Sequence, residues 1–558
     1  MTPAPSKPAP AKKPSATPPG EHPVLELMLR RGFLWPSCEP YGGFAGVYDY
    51  GPLGAPLKRN LEQLWREFYA REGFHEVETG LLAPEEVFRA SGHLSHFSDA
   101  MAECPKCRGA FRADHLKDPR KCPDCGGPLQ EARPFLLMME TRVGTGRKAY
   151  LRPETAQGIY LCFKRLVKHG RDRLPVGAFQ VGKSFRNEIS PRQGPVRLRE
   201  FTMGEVELFV HPGGKAKHPK FAEVAGLRAR MVPGEGKETV MSFGDAVAKG
   251  IILHEFLAYH LARIQEFLIS AGLPADRIRL RQHRKDELAH YALDCWDAEV
   301  ETAAYGWIEV VGLADRSDFD LRQHSVHSGE SLAFFVPHPK PVKKRMHVAK
   351  PKDPGAMGRQ YKERFPLIER ALEDLARTRP ADLQKDPIRL RIGNDEVALP
   401  RASVQVAETE VEETGAEAVP HVIEPSFGFD RLLYALLESA YAEDTVEGEV
   451  RKRLRLRPRV APLLVGVLPL LGNHDGLVAM ARDLHARLAA AGLRADYDDS
   501  GTVGRRYRRY DEVGTPFCVT VDHRSLEDGT VTVRDRDTTE QLRVAAKDLE
   551  AWLRARVG

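Results

Sequence analysis

Six charged side chains, Arg186, Glu188, Arg197, Arg199, Glu200 and Glu205, crowd into two alternating apolar-polar runs between Phe179 and Phe209. A loop holding Asn187, Ser190, Pro191, Gly194 and Pro195 joins the runs, so the stretch reads as a long antiparallel hairpin. A hairpin of purely structural purpose would gain more from β-branched residues at those positions. The charges point to chemistry instead. Arg186 and Arg197 offer guanidiniums for phosphate, Glu188 offers an acceptor for an amino group, and the ring of Phe201 offers a surface for stacking on a planar base. A salt-bridged surface hairpin is the alternative.

Other stretches carry chemistry of their own. Cys104-x-x-Cys107 and Cys122-x-x-Cys125 are two knuckles separated by fourteen residues. Four thiolates at this spacing close a tetrahedral zinc site with no position left for a catalytic water, which makes the metal structural; two disulfides are the alternative. Glu154 lies in RPETAQG, at a strand-to-helix turn where a helix N-terminus would also welcome a negative charge. Glu309 is the one acid within the apolar run of YGWIEVVGLADRSDFDL, a reading that competes with an edge strand bearing a solvated acid. In HVIEPSFGFDRLLYALLESAY a strand turns into a helix, and Arg431 stands at the helix start, where a phosphate meets both dipole and guanidinium. His93 and His96 lack further matched ligand spacing and read as loop hydrogen-bonding residues.

These motifs must be positioned by a large scaffold. A chain of 558 residues exceeds what one core supports, so three or more units are expected. Lys and Arg total 83 against 78 Asp and Glu, a net charge of +5 that leaves room for local basic faces without naming a partner. The best apolar run, Val460 to Leu471, is short and broken by Pro462 and Pro469, so no membrane partner is expected. Residues 1–23 are Pro, Ala, Lys and Ser without a leader-like apolar region and read as a flexible tail. The cysteine pattern suits a reducing, cytoplasmic compartment. Ala55 to Arg71 reads as a long helix, followed by a strand from Glu76 to Leu82. The spans at about 211–300 and about 333–420 are expected to be insertions in a domain running from 24 to 459. Strand and helix patterns from Val460 onward indicate a second, α/β domain at 460–558, in which RRYRRYDEVG is a basic helix. Its Tyr507 and Tyr510 interleave with arginines as stacking on unpaired bases would want, although a basic helix is more often merely solvated.

Arg186-x-Glu188 with Arg197-x-x-x-Phe201 resembles motif 2 of the class II aminoacyl-tRNA synthetases. The helix-strand-Pro84 segment resembles motif 1, their dimer-forming element, and EPSFGFDR resembles motif 3. YGGFAG…DYGPLG, ASGH, RADH, RPETAQG and EPSFG are similar to the glycyl-tRNA synthetases of the homodimeric type, and the last domain resembles the anticodon-binding domain shared with the threonyl, prolyl and histidyl enzymes. The resemblance implies an α+β fold, an antiparallel sheet flanked by helices with a zinc-finger-like insertion at about 100–130 and a C-terminal α/β anticodon-binding domain. It also implies glycine, ATP, tRNA(Gly) and a second copy of the chain as partners, with Mg²⁺ and a structural Zn²⁺ on Cys104, Cys107, Cys122 and Cys125. Arg186 and Arg431 are the implied catalytic residues. ATP is implied to contact these two and Asn187, Glu188, Val196, Arg197, Leu198, Arg199, Glu200, Phe201, Glu309, Val310, Gly428, Phe429 and Asp430. Glycine is implied to meet Arg112, Glu154, Phe201, Thr202, Met203, Gly204, Glu205, Glu424, Pro425, Ser426, Phe427 and Gly428. Beside the acid at Glu309 the family more often has Ile or Leu than Val310. A class II enzyme for another amino acid should lack the glycine-type stretches, and a non-catalytic nucleic-acid-binding relative should lack the arginines and acids of the site.

Overall fold

A computed structural model describes residues 23–191, 194–392, 395–446 and 448–557, so the expected tail lies outside the described residues up to position 22. A nine-stranded sheet dominates the larger of two compact units. Its strands, in chain order, are β1 (His75–Glu76), β2 (Val176–Phe185), β3 (Glu200–Val210), β4 (Arg228–Val232), β5 (Thr239–Ser242), β6 (Ile278–Gln282), β7 (Asp294–Thr302), β8 (Gly306–Asp315) and β9 (His421–Gly428). They lie in the order β5-β4-β6-β7-β8-β9-β3-β2-β1, antiparallel except for β1 with β2 and β4 with β6.

One face of this sheet is sealed by helices whose apolar spacing dictates their docking. Helix α1 (Gly54–Arg71) buries Leu57, Leu61, Leu64, Trp65 and Tyr69, a stripe at three- and four-residue intervals. Trp65 meets the rings of Phe179, Phe427 and Phe429 edge-on at 5.5, 5.7 and 5.8 Å. Helix α3 (Glu255–Ala271) is buried almost all round, as a helix wedged between other elements must be. Helix α5 (Phe429–Ala440) follows β9 directly and buries Leu432, Leu433, Leu436 and Leu437. With that face closed, the opposite face of β2, β3, β9 and β8 is available for chemistry. Two short helices, α2 (Ala156–Leu161) and α4 (Phe319–Ser328), stand at its margin.

Two segments differ from the sequence expectation. The span 211–300, expected as an insertion, contributes β4 to β7 and α3 to the central sheet and its core. Its strands alternate charge with apolar residues, Arg279 and Arg281 flanking buried Leu280, so they lack the continuous apolar signature of a central strand. The single strand expected from Glu76 to Leu82 is two short pieces: His75–Glu76 pairs with β2, and Leu82–Pro84 pairs with Arg147–Leu151. Residues 333–418 form the second unit, a long two-stranded ribbon (Phe334–Pro351 with Val404–Ala418) carrying a helix, Phe365–Thr378, and a hairpin around a core of Ile368, Leu372, Leu383 and Leu399.

The C-terminal sheet comprises β12 (Val465–Pro469), β13 (Ala495–Tyr497), β14 (Phe517–Val521), β15 (Thr530–Asp535) and β16 (Gln541–Ala545), in the order β13-β12-β14-β15-β16. It is preceded by a hairpin, β10 (Tyr441–Val446) and β11 (Glu449–Leu454). Helices α6 (Asp475–Ala490), α7 (Val503–Val513) and α8 (Leu549–Val557) accompany the sheet. Tyr510, read as a base-stacking ring, is 3% exposed and donates to Asp496, and Arg506 is 1% exposed with its guanidinium spent on backbone carbonyls. Tyr507 pairs with Thr520. The interleaved spacing puts Arg506 and Tyr510 on the inner face of α7, four residues apart, which is why they serve packing and not stacking.

Asp511 fastens hairpin and domain together. It is fully buried, accepts from both terminal nitrogens of Arg534 at 2.9 and 3.0 Å, and accepts from Arg451 of β11 at 3.2 Å. Asp511→Ala leaves two guanidiniums short of their shared counter-charge, a change that typically costs about 3–5 kcal/mol. Urea unfolding followed by far-UV circular dichroism is expected to show the C-terminal transition shifted to lower denaturant; an unshifted midpoint would show that Asp511 is not the fastener.

Candidate active site

Strand pairing aligns residues distant in sequence into one row across the open face. Gln180, Glu205, Ser426, Gly312, Asp297 and Arg281 are register partners in succession from β2 to β6. Because side chains alternate, the row places Glu205 and Ser426 on one face with Met203 and Phe201 before them, and Glu424 two residues from Ser426. The same alternation turns Thr202, Gly204, Pro425 and Phe427 away from that face. Phe427 packs on Trp65, Tyr69 and Phe267, Phe429 packs on Trp65, and a Cβ at Gly204 would come within 2.5 Å of the Phe429 ring. Of the expected glycine contacts, these offer backbone at most, and Phe429, expected at ATP, is a core residue.

The floor of the site is a buried acid cluster around one cation. Arg316, 2% exposed, donates Nε and an Nη to Asp320 at 2.9 and 3.1 Å and its other Nη to both oxygens of Glu424 at 3.2 and 3.0 Å. Tyr291 lies under the guanidinium at 3.9 Å from the ring centre. Glu154 stands 3.9 Å from Arg316 and 3.5 Å from His93 Nε2, and accepts from Gln157 at 2.8 Å. Glu205 accepts from the Thr155 amide and hydroxyl, both at 2.5 Å, and from the Ser426 hydroxyl at 2.9 Å. Burial raises Glu424, while Arg316, donating to both of its oxygens, favours the carboxylate, and burial with the Glu154 charge raises Glu205. Burial would raise Glu154 as well, but His93 and Arg316 hold it far below the usual carboxylate range. A buried cluster with more carboxylates than cations is chemically suited to a small cation.

Towards the hairpin end the charges reverse. Arg186 donates to the Pro153 carbonyl and lies 5.3 Å from the ring centres of both Phe97 and Phe201. Arg431, at the start of α5, donates to the Val196 carbonyl at 2.9 Å and to Glu309 at 3.1 Å. Arg186, Glu188, Val196, Arg197, Leu198, Phe201, Met203, Glu309, Val310, Ser426, Gly428, Asp430 and Arg431 line one open cleft. Arg197 is bonded to Glu188 at 2.7 Å. Asp430 accepts from the Thr202 amide and the Tyr50 hydroxyl, Glu200 pairs with Lys183 outside the cleft, and the Asn187 amide donates to the Leu137 carbonyl. Arg199 is held by the glycine-rich segment: its amide donates to Gly46 and its guanidinium to Ala45 and to Glu188. Gly46 has φ +76°, and a Cβ there would come within 2.5 Å of Pro191, so this glycine lets the segment close over the hairpin loop.

Arg112 does not reach the acid cluster. Its guanidinium is held by Asp99 at 2.9 Å and Asp114 at 2.7 Å, and Asp99 is 3.8 Å from Arg197, which puts Arg112 beside the nucleotide end of the cleft. Arg316, Asp320, Gln157, Thr155 and Gln180 are site residues that the sequence reading did not single out. Arg316 lies in GLADRSDFDL, where an arginine between two aspartates reads as a solvated, salt-bridged turn until the strand ahead of it is known to be central. His283, Cys295 and Asp297 also converge, at the far end of the sheet row, with Asp297 accepting from His283 and Arg281, each at 2.9 Å.

Beside the cleft, a three-stranded sheet of Ser98–Glu103, Ala110–Arg112 and Arg133–Leu136 carries the cysteine knuckles. None of the four is disulfide-bonded, and the Sγ atoms of Cys104 and Cys125, and of Cys107 and Cys122, stand 3.6 Å apart. Zn–S bonds of about 2.3 Å in a tetrahedron require S···S separations of about 3.8 Å, so the donor set fits that ion.

The fold and site together define a class II synthetase core joined to an anticodon-binding domain. Residues 140–241 match the tRNA synthetase class II core domain (G, H, P, S and T), and residues 464–556 match the anticodon binding domain. A glycine-tRNA ligase of Methanothrix thermoacetophila is 49% identical over 551 residues, covering 94% of each chain. Those of Archaeoglobus fulgidus and Methanocaldococcus jannaschii are 44% and 43% identical, over 95% and 96% of this chain and 96% and 98% of theirs. The chain belongs to the glycine-tRNA ligase family.

Proposed function

We propose that this chain activates glycine with ATP and transfers it to tRNA(Gly). The observation that carries the reading is the juxtaposition, on one sheet face, of a buried acid cluster suited to a small ammonium group and a cleft bearing Arg186 and Arg431, with Ser426 lining the cleft and donating to Glu205. A glycine whose ammonium meets Glu154, Glu205 and Glu424 presents its carboxylate towards the arginines. The carboxylate oxygen attacks the α-phosphorus, the bond to the bridging oxygen breaks, and pyrophosphate leaves. The 3′-hydroxyl of the terminal adenosine then attacks the glycyl carbonyl, and AMP departs. No side-chain nucleophile takes part; the chain contributes orientation and charge neutralisation.

In this reading Arg186 holds the α-phosphate, Arg431 and Arg197 the outer phosphates, Phe201 the base and Glu188 its amino edge. Glu309, half exposed beside Arg431, would hold Mg²⁺, which supplies further neutralisation of the phosphates. Selectivity for glycine rests on a packed pocket, since inserting a methyl group into a rigid site costs about 1–3 kcal/mol. The C-terminal domain would read the tRNA, with the exposed Arg505 of α7 a candidate contact. The chain would work as a homodimer through α1 and β1, the strand at one edge of the central sheet. No helix among the described residues is long and apolar enough to cross a membrane.

ATP-pyrophosphate exchange measured with each of the twenty amino acids tests the reaction: exchange with glycine alone is expected, and exchange with a different amino acid or with none would overturn the reading. Arg431→Ala is expected to slow that exchange on the order of a hundredfold or more, as loss of a transition-state donor does, with tRNA affinity nearly unchanged in filter binding. Glu205→Gln removes a charge-assisted contact worth roughly 1.5–3 kcal/mol, so KM for glycine is expected to rise roughly ten- to hundredfold while KM for ATP changes little. The reverse pattern would place Glu205 at the nucleotide.

We propose that Cys104, Cys107, Cys122 and Cys125 hold one structural zinc, which fixes the small sheet that positions Arg112 and Asp99. Elemental analysis is expected to find one zinc per chain, lost in the Cys104→Ser/Cys125→Ser double variant; a fully active, metal-free wild-type protein would remove the assignment.

A further inference from the structure

Beneath the acids that line the pocket lies one that nothing in the reaction uses. Glu207 follows Glu205 by two residues on β3 and therefore projects from the same face. It is 0% exposed, and among the described residues no guanidinium, ammonium or backbone amide hydrogen-bonds either carboxyl oxygen. Its register partner on β2 is Ala178, which offers no polar side chain. The Tyr160 hydroxyl of α2, which has no other partner, is the one donor among the described residues that faces it, and Glu424 of β9, Arg316 and Glu205 make up its charged surroundings. Arg316 is already committed to Asp320 and Glu424. A single phenolic hydroxyl is too little to hold an ionised carboxylate in such a place beside other carboxylates, whereas the neutral acid carries no charge to desolvate.

We propose that Glu207 is a positioning residue that carries its proton through the catalytic cycle. The neutral carboxyl stands beside Glu424 behind the ammonium site and adds no charge there, so that Glu424 stays turned towards Arg316 and the incoming amino group. The role in glycine binding rests on the function proposed above; the protonation does not. Burial and the neighbouring Glu424 push Glu207 well above the ordinary carboxylate range, in agreement with the geometry. With Glu207 neutral, the site presents the charges of Glu154, Glu205, Asp320 and Glu424 to one ammonium and one guanidinium, and a fifth carboxylate charge does not repel Glu424 out of place.

Infrared difference spectroscopy of the full chain at neutral pH, wild type minus Glu207→Gln, is expected to show the C=O stretch of a protonated carboxyl. In glycine-dependent exchange, Glu207→Gln, which keeps a neutral donor, is expected to raise KM for glycine less than about threefold, and Glu207→Ala more than about tenfold, with KM for ATP steady in both. Absence of the protonated-carboxyl band overturns the proposal. So does a Gln variant as impaired as the Ala variant, because a charge would then be what matters. The infrared band is read without substrate, so a wild-type chain that shows the band but no glycine-dependent exchange would refute the function and leave the protonated Glu207 standing.

Discussion

The guanidinium of Arg316, buried among carboxylates, is the constraint on which the site depends. Glu154, Glu205, Asp320 and Glu424 come from four different strands, turns and helices, and in a dry interior their charges would drive those elements apart. Arg316 binds Asp320 and Glu424 directly and stabilises Glu154 from slightly farther away. The remaining charge is left partly uncompensated, and that residual field is what the proposed ligand ammonium would satisfy. In the proposed reading, structure and selectivity share one electrostatic balance.

That balance is possible only because the opposite face of the sheet is rigid. Trp65 on α1 gathers Phe179, Phe427 and Phe429 beneath the strands that carry Gln180, Glu205 and Ser426 above. Each strand therefore contributes alternate residues to two purposes, aromatic packing below and polar chemistry above, and neither set can shift without the other. The short reach of glycine makes this rigidity functional, because a ligand without a side chain is distinguished by the space denied to larger ones.

The same helix ties the two ends of the chain together. Asn60 of α1 donates to the carbonyls of Val460 and Ala461, and Arg459 pairs with Glu67, at the point where the catalytic segment passes into the C-terminal domain. Arg31 reaches Glu512 of α7 at 2.6 Å. A helix that supports the sheet floor on one side and the second domain on another offers a mechanical connection between adenylate chemistry and the end of the molecule that would hold the tRNA.

Local spacing alone determined the hairpin of β2 and β3, the helix α1, the strand-turn-helix around Arg431 and the cysteine knuckles, because each is set by periodicity, turn residues or ligand intervals within a few tens of residues. The family likeness, too, was legible in contiguous stretches such as RPETAQG and EPSFGFDR. What only the tertiary structure decided are relations between distant strands. The register that sets Glu205 beside Ser426 and Gly312 fixes which side chains share a face, so Phe427 and Phe429 proved to be core while Arg316, unremarked in GLADRSDFDL, proved central. Arg112 went to Asp99 and not to the acid pocket, and Arg506 and Tyr510 turned inward, because the partner that wins a guanidinium or a phenol is chosen by three-dimensional proximity. The strands of 211–300 were missed for the same reason: their charged residues lie on the polar face of a central sheet, and sequence spacing records the alternation but not which face meets the site.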